Sequence, residues 1–194
     1  GVLMHYTTVW HGSFIVGTVF RDTDSMVQGF LSYSAPESQN EMISSGVSLD
    51  LSRDEFRLER LFVEPEVESS PFSLVPAGGI IAFTGEQILP SIETYRQIAS
   101  TSGYFDSAAE GRLAHLAHIS PQGVRTMTFW RTRELGERWN EQHLYGPLNE
   151  LEPGKLTDEA IEASWLDINS FVVTIDRNDP TRNFEREAAG PSNV

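Results

Sequence analysis

The sequence predicts an α+β fold in which one structural unit is written twice, and three observations predict it. The first is a repeat. Sliding the 194-residue chain against itself by 110 positions, without a gap, pairs Gly1 with Gly111, Leu3 with Leu113, His5 with His115, Thr18 with Thr128 and Arg21 with Arg131. Val9 then meets Ile119, Val19 meets Phe129 and Phe20 meets Trp130. The second observation is that each copy changes period, from the two-residue alternation of strands to the three-to-four-residue spacing of a helix. The third is the order of elements in the second copy, β-α-β-β-α-β.

The first copy opens with residues 2–10 and 13–21, rich in β-branched and aromatic side chains and separated by His11-Gly12, which reads as a hairpin. Asp22 or Thr23 can cap the helix that follows, with Met26, Val27, Phe30 and Leu31 on one face. Residues 56–63 read as the next strand. Residues 65–78, with Pro65, Pro71 and Pro76, read as a linker, and Glu64, Glu66 and Glu68 beside it are expected as solvated carboxylates.

In the second copy, 79–83 is a short apolar run suited to a buried strand, and Ile88, Ile92, Tyr95 and Ile98 recur at helical spacing. Residues 112–119 and 124–131 are strands joined by a turn containing Pro121 and Gly123. Thr132 can cap a helix that has Glu134 in its first turn and Leu135, Trp139 and His143 on one face. A short helix at 157–163 and a strand at 168–175 complete the order, which is the split unit of a ferredoxin-like fold. The expected organisation is a first ferredoxin-like unit at 1–64, the linker at 65–78, a second unit at 79–176, and a tail or arm at 177–194. The first unit has no counterpart to the strand and helix at 79–98. That strand is central in this topology, so a segment from outside the order, either an N-terminal stretch or an arm such as the C-terminal tail of a partner chain, is expected in its slot.

Composition excludes several classes of function. A hydrophobic content of 39% is that of a globular chain, and a net charge of −14 repels phosphate backbones and anionic lipid, so no nucleic-acid partner is expected. No apolar run approaches the roughly 20 residues that cross a bilayer, so no membrane association and a cytoplasmic location are expected. Without cysteine there is no disulfide, thiolate metal site or cysteine nucleophile. A Gly-rich phosphate loop, a His-Glu-x-x-His helix and a Gly-x-Ser-x-Gly elbow are all missing.

The stretch from Gly111 to Leu148, "GRLAHLAHISPQGVRTMTFWRTRELGERWNEQHLYGPL", resembles the dimeric α/β-barrel superfamily and especially its antibiotic-biosynthesis-monooxygenase-like members. The resemblance is clearest over residues 79–175 and faint over 1–63. It implies two ferredoxin-like units packed sheet to sheet into a barrel, with a pocket between each sheet and its helices. A fused pair makes that packing intramolecular, and a homo-oligomer stays open as a partner. The haem-degrading branch is not matched: Asn149 stands where its iron-ligating histidine belongs, and the strand "GGIIAF" lacks its asparagine. Neither haem nor metal nor any other cofactor is therefore expected.

The resemblance points to a cofactor-independent monooxygenase-like enzyme acting on a small aromatic or polyketide-like substrate; the alternative is a non-catalytic small-ligand-binding or stress-related barrel. His115 or His143 is the candidate proton acceptor, and Trp130, Trp139 and His5 are the candidate binding residues for a small apolar or aromatic ligand. His5 and His115 share one position of the repeat, where a neutral imidazole can act as base, hydrogen-bond donor or metal ligand, or sit buried against a neighbour. His115 and His118 face opposite sides of a strand and cannot readily share a metal. Trp139 and His143, four apart on a helix, can offer an indole wall beside a titratable group.

Overall fold

The computed structural model describes residues 1–10, 13–33, 56–69, 83–89, 91–106, 108–120, 123–145 and 164–186. The helix expected at 157–163, Asn149 and most of the strand expected at 79–83 lie outside the described residues. The first copy supplies β1 (Val2–Trp10), β2 (Ser13–Phe20), α1 (Thr23–Tyr33) and β3 (Arg57–Val63). The second supplies β4 (Phe83–Leu89), α2 (Ile92–Ser102), β5 (Arg112–Ser120), β6 (Gly123–Trp130), α3 (Arg133–Trp139) and β7 (Ser164–Val173). A π-helical turn, Asn140–Tyr145, continues α3, and a 3-10 turn, Pro180–Arg182, leads into β8 (Asn183–Glu185).

All strand pairs are antiparallel and run in the order β2-β1-β7-β4-β6-β5-β3-β8. The second copy alone gives β7-β4-β6-β5, with the first strand between the fourth and third, as a split β-α-β-β-α-β unit requires. Strand β7 joins two sheets. Its start pairs with β4 (Asp167 opposite Phe83), and its end pairs with β1 (Val173 opposite Met4).

The repeat holds at the level of individual bonds. His5 lies opposite Thr18 and His115 opposite Thr128. The hairpins even share a register shift, between Val2 and Met4 in one and between Arg112 and Ala114 in the other. Arg21 N donates to Gly1 O at 3.0 Å and Arg131 N to Gly111 O at 2.7 Å. Across the units, Thr174 N donates to Leu3 O and Glu64 N to Leu113 O, both at 3.0 Å. Each copy therefore gives its last strand to the other's hairpin, β7 to β1 and β3 to β5.

Four expectations shift. The strand expected at 79–83 is seen over Phe83–Leu89, so Ile88 belongs to a strand rather than to the helix. The helix starts at Ile92 because Ser91 caps it, its side chain accepting from Thr94 N at 3.1 Å. Strict alternation along 112–119 predicts Leu113 on the face of His115, but the bulge there places it in the same core as Ala114 and Leu116. Glu64 is not solvated: it is 1% exposed, while Glu66 is exposed. The segment after β7 lays β8 along β3, Leu61 opposite Phe184, on the side of β3 that β4 occupies on β7.

Two apolar layers result. One draws on both copies, including Met4, Tyr6, Leu61, Leu116, Met127, Phe129 and Val173. Tyr6 reaches from β1 to Met127 Sδ of β6 at 3.3 Å, and it fits because Gly17 lies opposite, where a Cβ would overlap the Tyr6 ring. The other layer lies under α2: Leu89, Tyr95, Ala117 and Val124, with Ile92 and Ile98 packed against them.

Candidate functional site

The site forms where α2 crosses β5 and β6. Capping at Ser91 sets the phase of α2, which turns Tyr95 toward the sheet, where it is 4% exposed. Period two along β5 places His115 under that helix, and the hairpin register places Thr128 opposite His115. A hydrogen-bonded chain follows: Tyr95 Oη to His115 Nε2 at 3.2 Å, His115 Nδ1 to Thr128 Oγ1 at 2.9 Å, and Thr128 Oγ1 to Tyr104 Oη at 2.9 Å. The Tyr95 and His115 rings are parallel at 6.0 Å, and Phe105 meets His115 edge-on at 5.1 Å. These groups border a cavity of about 40 Å³ that Leu89, Ile98, Thr126, Trp130, Asn140 and Leu144 also line.

Burial governs the protonation of this group. It holds the His115 imidazolium well below its usual range, helped by the positive charges of Arg112 and Arg60, so the ring is neutral at pH 7. Burial raises both tyrosines, against the pull of Arg60 on Tyr95 and of Arg112 on Tyr104.

Of the residues singled out by sequence, His115 and Trp130 meet at this cavity. Trp139 and His143 stack on each other at 3.9 Å and 24°, with Trp139 edge-on to Tyr104 at 6.3 Å, so they stand beside the cavity rather than at it. The indole Nε1 of Trp139 is buried with no hydrogen-bond partner among the described residues. His5 bonds Thr18 through Nδ1 at 3.0 Å in the other hairpin and is not brought to the cavity; its burial lowers its pKa. His118 stacks on Phe56 at 4.5 Å and, through burial and Arg125, is lowered to about 4. Among the described residues no group of three or more His, Asp or Glu is placed to hold a metal ion.

Sequence reasoning missed the charged wall of the site. Arg112 is fully buried; its Nε donates to Glu64 Oε1 and its Nη1 to Tyr104 O, both at 2.5 Å. Its guanidinium lies 4.9 Å from the centres of the Phe62 and Tyr104 rings and 5.6 Å from that of Trp139. Burial raises the Glu64 carboxyl more than Arg112 lowers it. Arg60 lies over Phe105 at 3.7 Å and pairs with Glu185 at 2.9 Å. The repeat carried the signal: Val2 and Thr174 stand where Arg112 and Glu64 stand in the other copy, and Ser170 stands in the place of Arg60.

No family model matches the chain, and no curated protein matches it. Among the described residues no helix is long and apolar enough to cross a membrane. The crystal structure of a protein named "putative monooxygenase" from Fusobacterium nucleatum subsp. nucleatum is similar, with a TM-score of 0.62 and 9% identity, covering 96% of this chain and 82% of that one. At that identity the likeness is one of fold, and it agrees with a mixed α+β chain of antiparallel strands compatible with tandem ferredoxin-like units.

Proposed function

We propose that this chain is a cofactor-independent monooxygenase-like enzyme acting on a small hydroxylated aromatic or polyketide-like substrate, and that its two units close sheet to sheet as a dimeric α/β-barrel-type fold. The observation that carries the reading is the neutral His115, held at both ring nitrogens in a pocket of aromatic rings. The fold likeness to a protein named for that activity supports it. A substrate with an acidified ring CH₂ gives a proton to His115, directly or through Tyr95. The carbanion passes one electron to O₂ and the two radicals combine as a hydroperoxide. Loss of water then leaves a carbonyl. The sum, CH₂ + O₂ → C=O + H₂O, needs no outside reductant. Trp130 walls the pocket and Trp139 supports it from beside Tyr104, excluding water from the carbanion. His143, stacked on Trp139, is the second candidate acceptor.

The test is oxygen uptake with a panel of anthrones and polyhydroxylated aromatics, without added cofactor. One O₂ consumed per carbonyl formed is expected, and His115→Gln should slow turnover by about 10²-fold or more, the usual worth of a general base. Uptake that needs added flavin or metal, or that His115→Gln leaves unchanged, sinks the proposal. The alternative reading is a non-catalytic small-ligand-binding protein. Saturable binding of panel members with no uptake from any of them selects it.

A further inference from the structure

The two copies agree in frame and differ in charge. Both keep the His–Thr bond across the hairpin, His5 with Thr18 and His115 with Thr128. Around His5 the equivalent positions are uncharged: Val2, whose carbonyl accepts from Thr174 Oγ1, and Ser170, whose hydroxyl bonds Thr7 at 2.7 Å. Around His115 they are Arg112, Glu64 and Arg60. The guanidinium of Arg60 faces the Phe105 ring at 3.7 Å, and Phe105 meets His115 at 5.1 Å. That of Arg112 lies 4.9 Å from the Tyr104 ring, which is 5.3 Å from His115. The second pocket is thus flanked by two cations, each one ring away from the imidazole.

The charges that act on His115 are these two arginines of β3 and β5, and the buried, un-ionised hydroxyls of Tyr95 and Tyr104 face the same group. Glu185 pairs Arg60 but is 49% exposed, so water screens it, whereas Arg60 is 11% exposed. Glu64 pairs Arg112 at 2.5 Å, and burial raises its carboxyl. Glu59 is matched by Arg96 at 2.5 Å. Both charges that act on the imidazole itself are positive, in a chain whose net charge is −14.

We infer that Arg60 and Arg112 are positioning residues that select the anionic form of an aromatic ligand, a phenolate or enolate, in the His115 pocket. The inference rests on the proposed ligand site and narrows its substrate from a hydroxylated aromatic to one bound as the anion. A phenolate oxygen placed toward His115 gains from both cations without displacing either carboxylate. Held as the anion, the ligand is also in the electron-rich form that passes an electron to O₂ in the proposed reaction.

The test uses 4-nitrophenol, whose neutral and ionised forms absorb differently, titrated with the whole protein on both sides of the pKa of the probe. The bound probe should titrate roughly one pH unit lower than the free probe, which is about tenfold tighter binding of the phenolate. Arg60→Gln should remove most of this preference and Arg60→Lys, which keeps the charge, should retain it, with circular dichroism verifying both folds. Preference for the neutral phenol, or equal preference in wild type and Arg60→Gln, overturns the inference. Failure to bind the probe in either form overturns it together with the pocket reading. Phenolate preference with no oxygen uptake from any substrate upholds it while the oxygenase reading falls.

Discussion

His5 and His115 occupy one position of the repeat, and their surroundings separate them. Each is buried and bonded to a threonine across the hairpin; the sequence offered burial against a neighbour without naming which. The sequence did not reveal that Arg112 crosses to Glu64, because the partners are 48 residues apart and only the β3–β5 pairing brings them together. The repeat itself supplies the control for this pair. Arg112→Val alone leaves a buried carboxyl without its cation and should cost about 3–5 kcal/mol. Adding Glu64→Thr recreates the Val2–Thr174 pair of the first copy and should recover more than about 1 kcal/mol of that loss. Urea midpoints measure both, and a double variant no more stable than the single refutes the equivalence. A second residue-scale prediction concerns His118. Unfolded, its ring takes a proton below about 6.5; folded, only below about 4. Between these values the unfolded chain binds more protons, so stability is full above pH 6.5 and falls as pH drops toward 4, by about 3 kcal/mol in all. His118→Gln should flatten that part of the acid slope, as measured by urea unfolding at pH 7, 5.5 and 4.5.

At the scale of elements, α3 shows how packing overrides propensity. Thr132 caps it through Leu135 N at 3.3 Å, as the sequence implied, but the helix widens into a π turn at Asn140. The wider turn buries Asn140 and Leu144 at the cavity wall and still stacks His143 on Trp139. Nothing in the 3.6-residue pattern marks such a turn, because it answers to what lies beneath the helix. Gly136 is the contact that seats α3. An alanine Cβ there would lie 2.5 Å from Trp165 and 3.0 Å from Trp130, both rigid indoles. Gly136→Ala should therefore destabilise by about 1–3 kcal/mol, although alanine is the better helix former by about 1 kcal/mol. A thermal midpoint equal to or above that of wild type shows that the clash relaxes. The C-terminal arm is a second such element. Arg182 is buried with Nη1 on Glu64 O at 3.1 Å, Nη2 on Val67 O at 2.7 Å and Nε on Asp176 O at 3.0 Å. Arg182→Met should remove these bonds, leaving Glu64 O and Asp176 O only their backbone donors Val67 N and Asp179 N, and expose β8 to rapid amide exchange, read by hydrogen-exchange mass spectrometry.

For the whole molecule, the reciprocal exchange of last strands has a thermodynamic consequence. Neither copy can unfold without stripping a strand from the other, since β3 pairs with β5 and β7 with β1 as well as β4. The shared core containing Tyr6, Met127 and Phe129 ties them again. Unfolding should be a single transition, with far-ultraviolet dichroism and tryptophan fluorescence coincident in urea. Two separated transitions would show that the copies fold independently.

By itself the sequence determined the repeat, the β-α-β-β-α-β order and, for most of the described residues, the secondary structure. All of these follow from local periodicity, capping and a register that a hairpin enforces between neighbours. Only the tertiary structure decided that Glu64 is buried against Arg112, that Arg60 faces Phe105, and that Trp139 stands behind Tyr104 while Trp130 reaches the cavity. Those pairings join strands and helices distant along the chain, and a carboxylate or guanidinium reads as solvated from its own neighbours alone. Whether it is buried depends on which strand another part of the chain lays beside it.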